Sequence, residues 1–241
     1  MAIEGIELEK EKKILRGINL KISKKIDELG GDIELEEEKI KEFKKFAWDN
    51  KSSMDSGDLA AVQSESNLEA NMMLMEKDYF RKLLRVKNNP YFASIVFDDE
   101  DLEHHVIYIG LTYLKDDKLR NIINDWRSPI CSIYYDYELG PCSYLAPGGT
   151  IKGELKRKRQ YKIENKKLVR LFDSSINIED DMLQEVLAQE SSEKMKNIVN
   201  TIQSEQNAVI RNITDKNLIV SGIAGSGKTS VALHRIAFLL Y

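Results

Sequence analysis

A run close to the end of this 241-residue sequence, Gly222-Ile223-Ala224-Gly225-Ser226-Gly227-Lys228-Thr229, has residue types and spacing suited to holding a polyphosphate. It fits G-x-x-x-x-G-K-[ST] at every fixed position. Glycines there allow successive backbone N–H groups to turn inward around phosphate oxygens, and a helix starting at the loop adds partial positive charge. Lys228 would reach the β- and γ-phosphates and the Thr229 hydroxyl would ligate Mg²⁺, so these two residues are the catalytic candidates. Ser230 completes the nucleotide-binding set. A plain Gly-rich turn before a buried helix has no need of lysine and threonine at those places.

Such a loop works only when a strand delivers the chain into it and a helix carries the chain away. Leu218-Ile219-Val220 reads as a short buried parallel strand, and Val231, Ala232, Ile236, Leu239 and Leu240 recur at helical spacing. Upstream, a helix begun around Ser191-Ser192 has apolar positions at Ile198, Ile202, Val209 and Ile210 and carries Gln206. A side-chain amide donates and accepts at once, which suits adenine, although a glutamine on a helix is ordinarily just solvated.

The Gln206 helix followed by IVSGIAGSGKTSVALHRIAFLLY, with its His234-Arg235-Ile236-Ala237 segment, resembles the first two motifs of UvrD/Rep-type superfamily 1 helicases. Within that group the sequence is similar to HelD-type proteins, which dislodge stalled RNA polymerase from DNA. The likeness continues through KSSMDSGD at 51–58, the Asp125-Trp126-Arg127-Ser128-Pro129 box and YYDYELGP at 134–141. It implies an ATP- and Mg²⁺-dependent translocase whose partner is core RNA polymerase and whose contacts extend to DNA. Two rival readings stand beside it: a general UvrD/Rep-like DNA helicase, and a non-catalytic polymerase-binding fragment. A superfamily 1 motor also needs an acidic residue on a neighbouring strand and arginines from a second lobe. Those are expected past Tyr241, so the sequence is read as the front of a longer enzyme and as inactive by itself.

Net charge is −4, with 42% hydrophobic and 32% charged residues, which excludes global attraction to nucleic acid or anionic membranes. The two cysteines, Cys131 and Cys142, are too few for a disulfide framework or a zinc site and read as half-buried fillers. The start lacks a signal-peptide core and no apolar run approaches a membrane span, so a cytoplasmic location is expected.

The fold class expected is mixed: an antiparallel α-helical coiled coil, a small antiparallel β-sheet, then the start of a RecA-like α/β nucleotide-binding domain. The divisions fall at 1–90, 91–173 and 174–241. In the first, Leu15, Ile18, Ile22 and Leu29 form one seam, and Ile33, Ile40, Phe43 and Ala47 form a second. The displacement between them falls at Gly30-Gly31, which should weaken or kink the helix. Leu68, Met72, Met75, Tyr79, Leu83 and Val86 are the expected returning row, giving a finger on the order of 60 Å long. Such a finger resembles those that enter the polymerase secondary channel, with Asp49, Asp55 and Asp58 at an acidic tip that otherwise reads as a solvated loop.

In the second division, Tyr91–Phe97 and His105–Leu111 read as strands. Ser94–Glu100 imitates a strand ending in a catalytic acidic pair, but its place before the phosphate loop makes it a hairpin turn. Ser128 and Pro129 should start a short helix. Tyr134, Tyr135 and Tyr137 read as a small aromatic core, with base stacking as the alternative, and a loop containing Pro141, Pro147, Gly148 and Gly149 should follow. Residues 149–164 and 167–173 form a hairpin carrying Lys152, Lys156, Arg157, Lys158, Arg159, Lys162, Lys166, Lys167 and Arg170. Strand alternation would group Lys156, Lys158 and Lys162 on one face and Arg157 and Arg159 on the other. This basic hairpin is either a contact for nucleic acid or an acidic polymerase surface, or an edge kept soluble by charge. After 173 a polar link, a helix at 179–189 and a break at Ser191-Ser192 should lead to the Gln206 helix.

Overall fold

A computed structural model describes residues 5–49, 56–100, 103–173, 204–223 and 226–241. Two long helices open the chain, α1 (Gly5–Asp49) and α2 (Ser56–Val86). The strands that follow are β1 (Ala93–Asp99), β2 (His104–Gly110), β3 (Leu114–Lys115) and β4 (Asn121–Asp125). A 3₁₀ turn (Pro129–Cys131) and α3 (Ser132–Asp136) come next, then β5 (Gly140–Ala146), β6 (Gly149–Glu164) and β7 (Lys167–Asp173). Two further helices are described, α4 (Ser204–Arg211) and α5 (Lys228–Leu239). The expected helix at 179–189, the break at Ser191-Ser192, Ile198 and Ile202 lie outside the described residues, as do residues 50–55 with Asp55 of the acidic tip, and Ala224-Gly225 of the loop.

The strands form one sheet in the order β3-β4-β2-β1-β6-β5, with β7 also on β6. The long β6 pairs with β1 along one edge, and with β5 and then β7 end to end along the other. The sheet is mixed, not antiparallel as expected, because β4 runs parallel to β2 with Tyr108 beside Ile123. The polar stretch after β2 holds the two-residue β3, too short to announce itself, and it returns the chain so that β4 starts at the same end as β2. The segment expected as a loop around Pro141 is strand β5, paired with Glu154 at the proline. Proline lacks an N–H, and an edge strand has a side on which none is required.

Between Val96 and Phe97 the β1–β6 register shifts, so Lys156 is an extra residue in a bulge. Cross-strand partners share a face. Leu155 therefore lies with Phe97 on one face, while Arg157 and Arg159, opposite Val96 and Ser94, lie on the other. Without the bulge all three would point the same way. The bulge also takes Lys156 out of the group expected from simple alternation, where it pairs with Glu154 at 2.6 Å.

Each face has its own cover. Ile95, Phe97, Ile107, Ile109 and Leu155 are buried with Trp126, Tyr134, Tyr135, Ile210 of α4 and Val231 of α5. On the opposite face, Tyr108, Ile123, Tyr161 and Ile163 are buried with Leu15, Ile18, Ile22 and Leu29 of α1 and Leu83 of α2. The first seam of α1 is thus a sheet-packing stripe, where burying each Leu or Ile contributes about 1.5–3 kcal/mol. Beyond Leu29 the buried apolar residues of the distal pair, among the described ones, are Ile33, Ile40 and Met73. At ~1.5 Å per residue α1 is about 67 Å long, the length expected of the longer arm, but only about 30 Å of it lies past the sheet.

The returning row needs correction as well. Leu68, Met72 and Met75 are 63%, 56% and 75% exposed, whereas Met73 is buried with Leu83 and Val86. The inward row of α2 steps 73, 80, 83, and the Lys77–Glu37 ion pair joins the two helices beside it. Helix α1 runs unbroken through Gly30-Gly31. No helix among the described residues is long and apolar enough to cross a membrane.

Candidate functional site

The segment Gly222–Thr229 leads into the start of α5. Gly227, at φ 80°, is its N-terminal cap, a left-handed conformation that suits glycine. The Val231 N–H then donates to the Gly227 carbonyl at 2.9 Å to begin the helix. Lys228 folds back across the loop: Nζ donates to the carbonyl oxygens of Gly222 at 2.8 Å and Ile223 at 2.6 Å, with Ser226 Oγ at 3.4 Å. A Cβ placed on Gly222 would come within 2.7 Å of Ser226 Oγ, so a side chain there would turn that hydroxyl aside. Thr229 is exposed in the first turn of α5, and the Ser230 carbonyl accepts from His234 Nδ1 at 2.6 Å. One hard hydroxyl oxygen fits Mg²⁺ as a single ligand among several and cannot hold the ion alone.

The structure also brings Gln206 to this place. It lies half-buried on α4, and its Nε2 is 3.7 Å from the position a Cβ on Gly227 would occupy. Residues about twenty apart in sequence thus meet at the loop. The entering strand is not formed: Leu218–Val220 is without regular structure, and Ile219 is 94% exposed. A parallel strand exists only with partners on its flanks, and every strand of the described sheet lies upstream of residue 174.

What holds α4 and α5 is a corner that follows β4. Trp126 N–H donates to the Gly110 carbonyl at 2.9 Å. Gly110 is packed so tightly that a Cβ would meet the Pro90 carbonyl at 2.4 Å. The Asp125 carboxylate, 1% exposed, accepts from Arg127 Nε at 2.7 Å and from the Arg127 backbone N–H at 3.0 Å. Arg211, the last residue of α4, donates to the carbonyls of Trp126 (2.6 Å), Arg127 (3.1 Å) and Ser128 (3.3 Å). Arg127 Nη1 donates to the Ala237 carbonyl on α5 at 3.3 Å, and its guanidinium lies 4.5 Å over the Tyr241 ring. The Trp126 ring meets His234 edge-on at 5.8 Å. In the sequence the Asp125–Pro129 box stands out only as a family likeness and a helix start. Ser128 does precede the 3₁₀ turn with Pro129 behind it, but its hydroxyl turns to Cys131 Sγ at 3.1 Å and caps nothing.

The aromatic residues are core, as the plainer expectation had it. Tyr134 and Tyr135 are 4% and 6% exposed, and the Tyr134 hydroxyl accepts from Gln160 at 2.8 Å. Both cysteines are free and buried, and burial pushes the Cys131 thiol up to about 12. The acidic imitation at Asp98-Asp99 is a hairpin, as expected. Asp98 pairs with His104 at 2.7 Å and Asp99 with His105 at 2.9 Å, and Glu103 joins the second pair at 3.8 Å.

The basic hairpin is divided by the fold. Arg159 is 1% exposed and forms ion pairs with Glu7 (2.9 Å), Glu11 (3.0 Å) and Asp173 (2.5 Å), while Arg157 also reaches Glu7 at 3.0 Å. Lys158 lies under α3, donating to the Tyr137 carbonyl at 2.9 Å, and burial lowers its pKa. Lys152, Lys156, Lys166, Lys167 and Arg170 remain on the surface.

A mixed sheet with a long helix pair on one face and two short helices on the other defines an α/β architecture. The family pattern described as "DNA helicase IV HelD, N-terminal domain" matches residues 8–212, and the chain belongs to this family of HelD helicases. The match ends before the Gly222–Thr229 loop. A search of curated proteins gave no match.

Proposed function

We propose that Gly222–Ser230 and Gln206 form part of a Mg·ATP site in a HelD-type superfamily 1 ATPase that binds core RNA polymerase and releases it from DNA or stalled complexes. The observation that carries this reading is the seating of the Lys228 ammonium within the arc of Gly222, Ile223 and Ser226 at the N-terminus of α5. A polyphosphate exchanges those weakly basic carbonyls for anionic oxygens and gains the helix-end N–H groups. Gln206, against Gly227, is placed beside the same loop to read the base. Thr229 contributes one oxygen to Mg²⁺. Hydrolysis additionally needs an acidic residue on an adjoining strand and arginines from a second lobe, so this chain's own share is binding and polarising the phosphates.

Titration calorimetry with Mg·ATP tests the site: the wild type should bind, and Lys228→Ala should lose at least tenfold in affinity. Equal affinity of the two proteins, or no binding by the wild type, would end the nucleotide reading. The polymerase reading is supported by the family and by the helix pair, whose distal part extends past the sheet. The chain should co-purify with core RNA polymerase, and trimming the pair between residues 33 and 73 should abolish that. Capture that survives trimming would remove the helix pair from the interface, and binding to a tailed DNA duplex alone would favour the general helicase.

A further inference from the structure

Helices α4 and α5 carry the two ends of the proposed site, yet the segment between them (212–227) has no strand or helix among its described residues to fix their relative placement. Most of the polar contacts that do so run from a guanidinium to the backbone. Arg235 of α5 donates to the Val209 carbonyl of α4 at 2.8 Å and to that of Asn212. Arg211 gathers the three carbonyls of Trp126, Arg127 and Ser128 onto the end of α4. Arg127 reaches the last turn of α5, and fully buried Asn207 of α4 donates to Asp136 of α3 at 2.7 Å. A planar guanidinium can bridge several fixed carbonyls at once, which an ammonium cannot.

The geometry points to the Asp125–Trp126–Arg127 corner, together with Arg211, as the positioning element that sets the distance between Gln206 and Lys228 and so gives the loop its preference for a nucleotide over a bare polyphosphate. This inference rests on the nucleotide reading above. The reasoning is one of leverage. Gln206 lies five residues before Arg211, about 7 Å along α4, and Lys228 lies nine residues before Ala237, about 13 Å along α5. A small tilt at the corner therefore displaces the two functional ends relative to each other. Gripping phosphate and its Mg²⁺ requires only Gly222–Ser230, all on one side of the clamp. Recognising a base requires α4 and α5 to be held at one separation, because a misplacement near 1 Å is enough to lose an oriented contact.

The test is calorimetric titration of the whole chain with Mg·ATP and separately with Mg·tripolyphosphate. The wild type should prefer ATP. Arg211→Gln should weaken ATP about tenfold and leave tripolyphosphate within twofold, collapsing the preference. A merely structural loss would weaken both ligands together. Thermal unfolding establishes that the variant is folded. Should Arg211→Gln fail to fold, Arg127→Lys, which keeps the charge but loses the fork, should give the same selective loss. A variant that keeps its ATP preference overturns the positioning role while the nucleotide reading stands. A wild type that binds neither ligand overturns both.

Discussion

The two faces of the sheet use arginine in opposite ways. On the helix-pair face, Arg159 is sunk among the carboxylates of Glu7, Glu11 and Asp173, so α1 is joined to β6 and β7 by charge pairing. Beside it Tyr91, Tyr108 and Tyr161 pack with ring centroids 4.8 and 5.0 Å apart, and the Tyr108 hydroxyl donates to Glu11 at 3.2 Å. On the loop-helix face, Arg211 and Arg235 donate to backbone carbonyls, and Arg127, held by the Asp125 carboxylate, spends its remaining N–H on the Ala237 carbonyl. Carboxylate cages fix a helix rigidly because separating the partners strands a charge in a poorly solvated site. Carbonyl contacts are exchangeable one at a time, each contributing roughly 1.5–3 kcal/mol when the donor is charged. One face is therefore built as an anchor, and the other as a joint under the Gly222–Thr229 loop.

Arg159→Met breaks this contrast most severely. It leaves Glu11, itself 3% exposed, charged and without its guanidinium, and should cost about 3–5 kcal/mol of stability in a urea melt. The loss should concentrate in α1, visible as faster amide exchange at residues 14–29, while exchange in α5 stays unchanged. A cost below about 1 kcal/mol, the range of an exposed pair, would show that the cage does not anchor the helix.

How much of this was legible beforehand depends on whether a signal is local. The first seam of α1, the hairpin turn at Asn165-Lys166 and the loop with its lysine all follow from spacing and residue type. What escaped depended on partners distant in sequence. A heptad-like row does not say whether it faces a helix or a sheet, so Leu15–Leu29 was assigned to the finger. Lys156 bears no mark of a bulge, and that single inserted residue decides that Arg157 and Arg159 face inward to α1. The apolar row of α2 was misread by one position because methionine at 72, 73 and 75 supports either register. At the candidate site the Gly222–Thr229 spacing is local and readable, whereas the corner beneath it depends on Arg127 and Arg211 finding backbone carbonyls distant in sequence, which no spacing announces.

The smallest expected effect concerns the part of the helix-pair face that has no sheet beneath it. Two adjacent glycines suggested a weak point, yet α1 passes through Gly30 and Gly31 as one helix. A Cβ at Gly31 would meet nothing within 4 Å, and one at Gly30 would sit 3.7 Å from Phe80 in ordinary contact. Neither glycine is required by conformation or space, so both act only as sites of low helix propensity in a stretch with α2 as its cover. Gly31→Ala should then stabilise the distal pair by about 1 kcal/mol. In hydrogen exchange, amides at 33–49 should slow by about fivefold, with those at 14–22, already held by the sheet, changing far less. Faster exchange beyond residue 33 would mean that α1 bends at Gly31 in solution, and the distal pair would then be a hinged arm and not a continuation of the anchored helix.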